Sequence, residues 1–301
     1  MNERKKIIID TDIGDDIDDA FAIALALKAP ELEILGITTV FQNVSMRAKQ
    51  VKALLASYKA EKLPVYKGLG KPLSRKGQAP DRDWEEGIIN CQYYPELEKY
   101  EYEEEEAVKF IVRMLKQYPG EVTLVPIGPL TNIAAAIKKA PDIVPLIKDI
   151  RLMGGVFFRN FAEWNILCDP EAAKIVFACG APVYAVGLDV TENCLMSERD
   201  IRSYLNKKKP ESEVLQKYLA MWVDYNKKNR PILHDPLTVE TLINPDIVTF
   251  QQINVKVITE EGHAGETRFV PEAEEGSSAI KIAVEVKSKE FVDFFTSTVL
   301  I

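Results

Sequence analysis

An apolar triplet, Ile7-Ile8-Ile9, runs without a break into Asp10-Thr11-Asp12-Ile13-Gly14-Asp15-Asp16-Ile17-Asp18-Asp19-Ala20, eleven residues of which six are aspartates. No other feature limits the fold so sharply. A β-branched run without polar alternation belongs in a strand covered on both faces. The Ala20-Phe21-Ala22-Ile23-Ala24-Leu25 run behind the acids reads as a buried helix. Strand, polar turn and helix open a parallel βαβ unit, whose turn lies at the sheet edge where ligands bind. Carboxylates held this close repel one another, so the turn needs a counter-charge. Asp18 and Asp19 gain roughly 0.3–1 kcal/mol each from the helix dipole, but Asp12, Asp15 and Asp16 gain nothing. A hard divalent cation would serve them, and Ca²⁺ is the ion that flexible acidic loops select. The loop is not an EF-hand, because its twelfth position is Phe21 where a bidentate glutamate is required. A solvated acidic loop with one capping aspartate is the plainer alternative, and the loop alone leaves it open.

The alternation continues along the chain. Short Ile- and Val-rich runs predict strands over 6–9, 33–40, 65–66, 122–127, 150–153 and 183–188. Helical periodicity predicts helices over 19–28, 47–58, 104–117, 131–139 and 170–179. The acidic run from Glu101 to Glu106 is expected to open the third of these on a solvated face. In the last third, helices are expected over 197–207, 213–228 and 235–243, the first with Ser197 and Asp200 as a capping box. Strands over 253–259, 267–270 and 280–286 and a terminal helix follow. The expected fold is α/β: an open, mostly parallel Rossmann-like sheet flanked by helices, with additional C-terminal helices and strands, as a single domain over 1–301.

Composition excludes some partners. A net charge of −8 argues against nucleic acid, whose binding needs basic surface. The charged start Met1-Asn2-Glu3-Arg4-Lys5-Lys6 lacks a signal peptide's apolar segment, and no apolar run reaches membrane-spanning length. Four cysteines without CxxC spacing read as reduced thiols, so a cytoplasmic location is expected.

Polar groups recur where the other strands end. Asn43 follows Thr38-Thr39-Val40, a tight Gly128-Pro129-Leu130-Thr131-Asn132 turn follows the fourth strand, and Met153-Gly154-Gly155 closes the fifth, ahead of Asn160, Glu163 and Asn165. His234-Asp235-Pro236 opens a late helix. With the DTDxG and DDA halves of the acidic loop, ITTVxxN, GPLTNIA, MGG, ExN, DPEAA, GLDVT and HDP, the chain resembles the nucleoside hydrolases of the inosine–uridine-preferring type, from Ile7 to about Val270.

The resemblance implies a Ca²⁺-dependent hydrolase that cleaves the N-glycosidic bond of ribonucleosides to free base and ribose. It implies Asp12, Asp19, the Thr131 carbonyl and Asp235 as metal ligands, with Asp12 also the general base. Asp18 would bind the ribose, and Asn43, Met153, Asn160, Glu163, Asn165 and Asp235 would complete the substrate grip. His234 would assist the leaving base as general acid. Trp164, Trp222 and Tyr225 would line the base pocket, although aromatic side chains are as often core or rim. The family also implies a homo-oligomer, dimer or tetramer.

The chain departs from the family at three places. Its acidic loop is two residues longer than DxDxGxDD, with Asp15 and Asp16 interposed. Anchoring on the helix side assigns Asp18 and Asp19, whereas anchoring on Gly14 would make Ile17 a metal ligand. Asp10 is then expected to support the loop and Asp16 to act on the site from behind, while Asp15 has no role. The family's HGxDGLG loop is absent, and 82–90 carries Trp84, read as a surface anchor, with no histidine. Glu192-Asn193 follows the GLDVT motif in place of a histidine-containing pair. His263, the second histidine, reads as structural.

Two rival readings remain. A haloacid-dehalogenase-like phosphatase would use Asp10 as nucleophile and Asp12 as general acid with Mg²⁺, but Gly14, HDP and MGG–ExN do not suit it. A non-catalytic Ca²⁺-dependent nucleoside or ribose sensor would keep the same grip without turnover.

Overall fold

The computed structural model describes residues 4–74, 90–207, 210–227 and 230–301. Residues 75–89, Trp84 among them, lie outside these ranges. Nine strands form one sheet: β1 (Lys5–Thr11), β2 (Leu32–Thr39), β3 (Val65–Lys67), β4 (Val122–Pro126), β5 (Ile147–Met153), β6 (Val183–Val186), β7 (Val248–Val257), β8 (Thr267–Val270) and β9 (Ser277–Val286). Their spatial order is β3-β2-β1-β4-β5-β6-β9-β7-β8. Strands β1 to β6 are parallel, β9 joins β6 in parallel, and β7 runs antiparallel to both β9 and β8. The mostly parallel sheet and its C-terminal additions are those the sequence led us to expect. The strand order reverses between β1 and β4, and such a switch point opens a crevice at the carboxyl ends.

The isoleucine triplet shows why β1 is central. Ile7 and Ile9 pack into the core on one face of the sheet and Ile8 into the core on the other. The period-2 geometry of a strand distributes them so. The Ile7 face is covered by α1 (Asp18–Lys28) and α2 (Val44–Ser57), and the Ile8 face by α3 (Ala107–Gln117) and α4 (Thr131–Lys139). Two short helices, α5 (Trp164–Cys168) and α6 (Pro170–Phe177), follow β5, and α7 (Leu188–Thr191) follows β6. Then come α8 (Glu198–Leu205), α9 (Glu213–Asn226), α10 (His234–Ile243) and α11 (Ser288–Phe295). None of the described helices is long and apolar enough to cross a membrane.

Several boundaries moved. Helix α3 begins at Ala107, so the acidic run precedes it instead of forming its first turn. Glu103 donates its N–H to Val65 and is held extended beside β3, and the helix starts at the first residue that can be buried. Strand β6 ends at Val186 because Gly187 turns the chain directly into α7. Helix α2 begins three residues earlier than expected, since the Asn43 side chain caps it by accepting from Met46 N at 2.9 Å. Ser197 caps α8 as expected, but the short Asp200 side chain accepts from the Ser197 hydroxyl rather than reaching its N–H.

Candidate active site

Strand β1 ends in Asp10 and Thr11, neither exposed to solvent. Asp10 Oδ1 accepts from the Thr38 hydroxyl and from Asn132 Nδ2 at 2.7 Å, while the same Nδ2 donates to the Thr39 carbonyl at 3.0 Å. The Asp10 carbonyl accepts from Ile127 N at 2.8 Å. One buried aspartate, through its carboxylate and its main-chain carbonyl, thus ties together the ends of β1, β2 and β4. Burial pushes it up to about 7 against both hydrogen bonds. Fully enclosed behind the cleft, Asp10 cannot be the nucleophile of the phosphatase reading.

In front of it, Asp12, Asp15, Asp16, Asp18 and Asp19 line a cleft of about 620 Å³. Asp18 and Asp19 stand in the first turn of α1 and Asp235 in the first turn of α10. One carboxylate oxygen from each lies within 4.8 Å of the other two, and all three residues are buried. Asp19 accepts from the Thr11 hydroxyl, and Asp18 Oδ2 accepts from Asp235 N at 3.3 Å. Two helix N-termini therefore converge on one acidic cluster. Burial first, and repulsion among neighbouring acids second, raise all three well above the usual carboxylate range. Asp12 is pushed up to about 7, again chiefly by burial. Such a cluster must hold either protons or a cation. Its donors are all carboxylate oxygens, without thiolate or imidazole, so the residues fit a hard divalent ion.

The trio differs from the expected ligand set in containing Asp18. Asp12 stands outside it, and a side chain at Gly128 would begin 2.6 Å from Asp12 Oδ1, so only glycine fits there. The Thr131 hydroxyl is turned toward Asp169, to which it donates at 2.7 Å.

The two interposed acids have partners. Asp15 Oδ2 accepts from Arg47 Nη2 at 2.8 Å. Asp16 Oδ1 accepts from Ile17 N at 2.6 Å, and its carboxylate also accepts from the Trp222 side chain. The Asp16 carbonyl accepts from Gln92 Nε2 and the Asp15 carbonyl from the Cys91 thiol at 3.1 Å. Residues 90–92 thereby brace the longer loop.

The remaining expected residues divide. Glu163 caps α5, its carboxylate accepting from the N–H groups of Asn165 at 2.9 Å, Gly155 at 3.0 Å and Ile166 at 3.2 Å. Asn165 Nδ2 donates to the Ile127 carbonyl at 2.9 Å and the Met153 carbonyl at 3.2 Å. Glu163, Asn165 and Met153 all line the cleft. Asn43 and Asn160 do not: Asn43 is engaged as the α2 cap, and Asn160 is exposed on the loop after β5. Gln42 lines the cleft where Asn43 was expected to. It is 4% exposed, has a positive φ of 54°, and its Nε2 has no hydrogen-bond partner among the described residues.

The cleft also carries aromatic rings. Trp164, Trp222 and Tyr225 line it, with Phe41 packed edge-on against Trp164 at 6.3 Å. His234 lines it too, its Nδ1 2.7 Å from the Thr191 hydroxyl. Burial lowers its pKa to about 4, partly opposed by Glu192, which pairs with Arg159 at 2.9 Å. His263 is bound to Glu266 at 2.6 Å, away from the cleft.

A family model described as inosine-uridine preferring nucleoside hydrolase matches residues 7–293. The chain belongs to that family. Uridine nucleosidase 1 of Arabidopsis thaliana is 36% identical over 282 residues, spanning 89% of this chain and 82% of its own. A solved plant nucleoside hydrolase superposes with a TM-score of 0.88 at 29% identity, covering 99% of both chains. A purine-preferring ribonucleoside hydrolase from Gardnerella vaginalis gives 0.82 at 32% identity over 98% of both.

Within this nucleoside hydrolase, Gln42 in the cleft, and Arg47, Thr191 and Glu192 behind residues that line it, escaped the sequence reading. Gln42 sits next to the motif asparagine that drew attention. Arg47 falls on the buried face of a helix whose sequence reads as ordinary. Thr191 closes the GLDVT motif and Glu192 follows it, where the one visible feature was a missing histidine.

Proposed function

We propose that this nucleoside hydrolase is a Ca²⁺-dependent enzyme that splits ribonucleosides into free base and ribose. The observation that supports it is the lining of one cleft, which combines the buried Asp18, Asp19 and Asp235 with the rings of Trp164 and Trp222. A ribonucleoside asks for both kinds of group, being a diol-bearing sugar joined to a flat base. Asp19, Asp235, Asp18 or Asp12, and the Thr131 carbonyl would hold the ion. When bound, the ion supplies Lewis acidity that lowers the pKa of a water.

Asp12 would be the general base that takes a proton from the attacking water. Asp18 accepts from the ribose hydroxyls, and the Glu163 carboxylate and Asn165 amide, both fixed by main-chain hydrogen bonds, bound the sugar on the opposite side. Cleavage builds positive charge on the ribose ring, as in glycoside hydrolysis, and the acidic wall stabilises it. The departing base gathers negative charge, and Trp164 and Trp222 flank it. His234 is neutral at pH 7, and a nearby cation would keep it so. It therefore assists departure by donating a hydrogen bond from its free ring nitrogen, with Nδ1 occupied by Thr191. Residues Met153 and Tyr225 close the sides of the cleft.

The test is a panel of purine and pyrimidine ribonucleosides, assayed for reducing sugar with Ca²⁺ and with EDTA. Release that depends on Ca²⁺ is expected for at least one. Tight nucleoside binding with no sugar released would instead favour the sensor reading. We also propose a homo-oligomer, which light scattering on the purified chain would test.

A further inference from the structure

Arg47 is among the largest fully buried side chains of the described residues, and nothing in the proposed reaction uses it. It leaves α2 one turn after the Asn43 cap and runs beneath the cleft. Its Nε donates to the Phe41 carbonyl at 2.8 Å. Nη1 donates to the Asp12 carbonyl and to the Ile13 carbonyl at 2.7 Å, and Nη2 donates to Asp15 Oδ2 at 2.8 Å. The Phe41 ring lies 5.8 Å from the guanidinium carbon. One planar group thus joins the loop after β1 to the loop after β2.

The arrangement has a chemical logic. A buried guanidinium is costly unless it is paired and its donors are used. Here Asp15 supplies the charge partner, and three main-chain carbonyls take the remaining hydrogen bonds. A lysine, with one nitrogen on a flexible stem, cannot span that set. The two-residue extension of the acidic loop brings in Asp15, so the lengthened loop and its tether form one device. Phe41, held at a positive φ of 70°, is fixed by the same group. Because one bond falls on the Asp12 main chain, any slackening there displaces the residue assigned as general base.

We propose that Arg47 is a positioning residue for the metal site: a built-in cation, with Asp15 as counter-ion, that holds Asp12 and the lengthened loop in shape before an ion arrives. The inference rests on the Ca²⁺ reading above.

The test is calorimetric titration of the full-length, EDTA-stripped protein with Ca²⁺ alone, for the parent, Arg47→Lys and Asp15→Asn. Tm, kcat and KM are measured alongside at saturating Ca²⁺. Loss of an outer partner weakens metal binding by about 10–100-fold, which is the drop expected for Arg47→Lys. Its kcat should fall while KM changes by less than about threefold, a split that general loosening of the fold would not give. Asp15→Asn keeps the carbonyl bonds and should show a smaller loss in the same direction. A parent that takes up no Ca²⁺ defeats the metal reading itself. A parent that binds, matched within about twofold by both variants, overturns the Arg47 inference and leaves the metal reading standing. If Arg47→Lys does not fold, the Asp15→Asn titration decides, and parent-like affinity there overturns the inference.

Discussion

The Thr191 hydroxyl lies 2.7 Å from His234 Nδ1, joining the end of α7 to the start of α10 beside the cleft. A threonine that donates to Nδ1 leaves the ring proton on Nε2. Thr191→Val removes that constraint without adding volume. On ribonucleosides with poor leaving groups, kcat should fall by about tenfold, the scale of one hydrogen bond. On p-nitrophenyl riboside, which needs no help in departure, the loss should be slight, and Thr191→Ser should restore both. Equal losses on both substrates would remove the assignment of His234 to the leaving base.

Asp12→Asn keeps the shape of the residue and removes its basicity. Turnover should drop by about 10²–10⁴-fold, the usual contribution of a positioned base. Without metal, the variant should be at least as stable as the parent, because one of several crowded and buried carboxylates becomes neutral. Melting curves in EDTA and rates in saturating Ca²⁺ check the two halves separately. A fully active Asp12→Asn enzyme would end its assignment as base.

Gln42 carries a buried amide nitrogen without a partner among the described residues, on a backbone that glycine would adopt more easily. Backbone strain of this kind costs of order 1 kcal/mol and is tolerated where a side chain is needed. Gln42→Gly should therefore hold or raise Tm by about 2 °C. It should also raise the KM for ribonucleosides, because a donor facing the substrate is lost. Unchanged KM would mean that the amide has no partner in the complex either.

These residues show where the sequence was legible. Ile7, Ile8 and Ile9 had to serve two cores, so an unbroken apolar run was enough to fix β1 and the sheet around it. The acids at the helix start could be placed because a dipole and a strand end constrain them together. Asn43 misled, because a polar residue at a strand end can equally cap the next helix, and only the observed bond to Met46 separates the roles. Arg47 was invisible for a different reason. An arginine in Val44-Ser45-Met46-Arg47-Ala48-Lys49-Gln50 reads as solvated surface, and its burial depends on a loop 35 residues away in the chain. Long-range pairing of charge leaves no periodic trace.

Glu240 offers a test of stability that is independent of the cleft chemistry. It lies on α10 beyond Asp235, is 2% exposed, and its Oε2 has no partner among the described residues. Burial, reinforced by Glu31 and Glu290, pushes its pKa from 4.5 up to about 8. Between those values the folded chain binds a proton that the unfolded chain has released. Stability from this residue is therefore full below about pH 4.5, declines as pH rises, and is lost by about pH 8. Glu240→Gln keeps the volume and cannot ionise, so it should match the parent near pH 4.5 and exceed it increasingly toward pH 8. Each pH unit within the window contributes at most about 1.4 kcal/mol, so the gap at pH 8 should be a few kcal/mol. Urea midpoints for both proteins across this range, at constant Ca²⁺, measure it, and the acidic cleft, common to both, cancels in the difference. Parallel curves would mean that Glu240 is ionised throughout and finds its counter-charge in water.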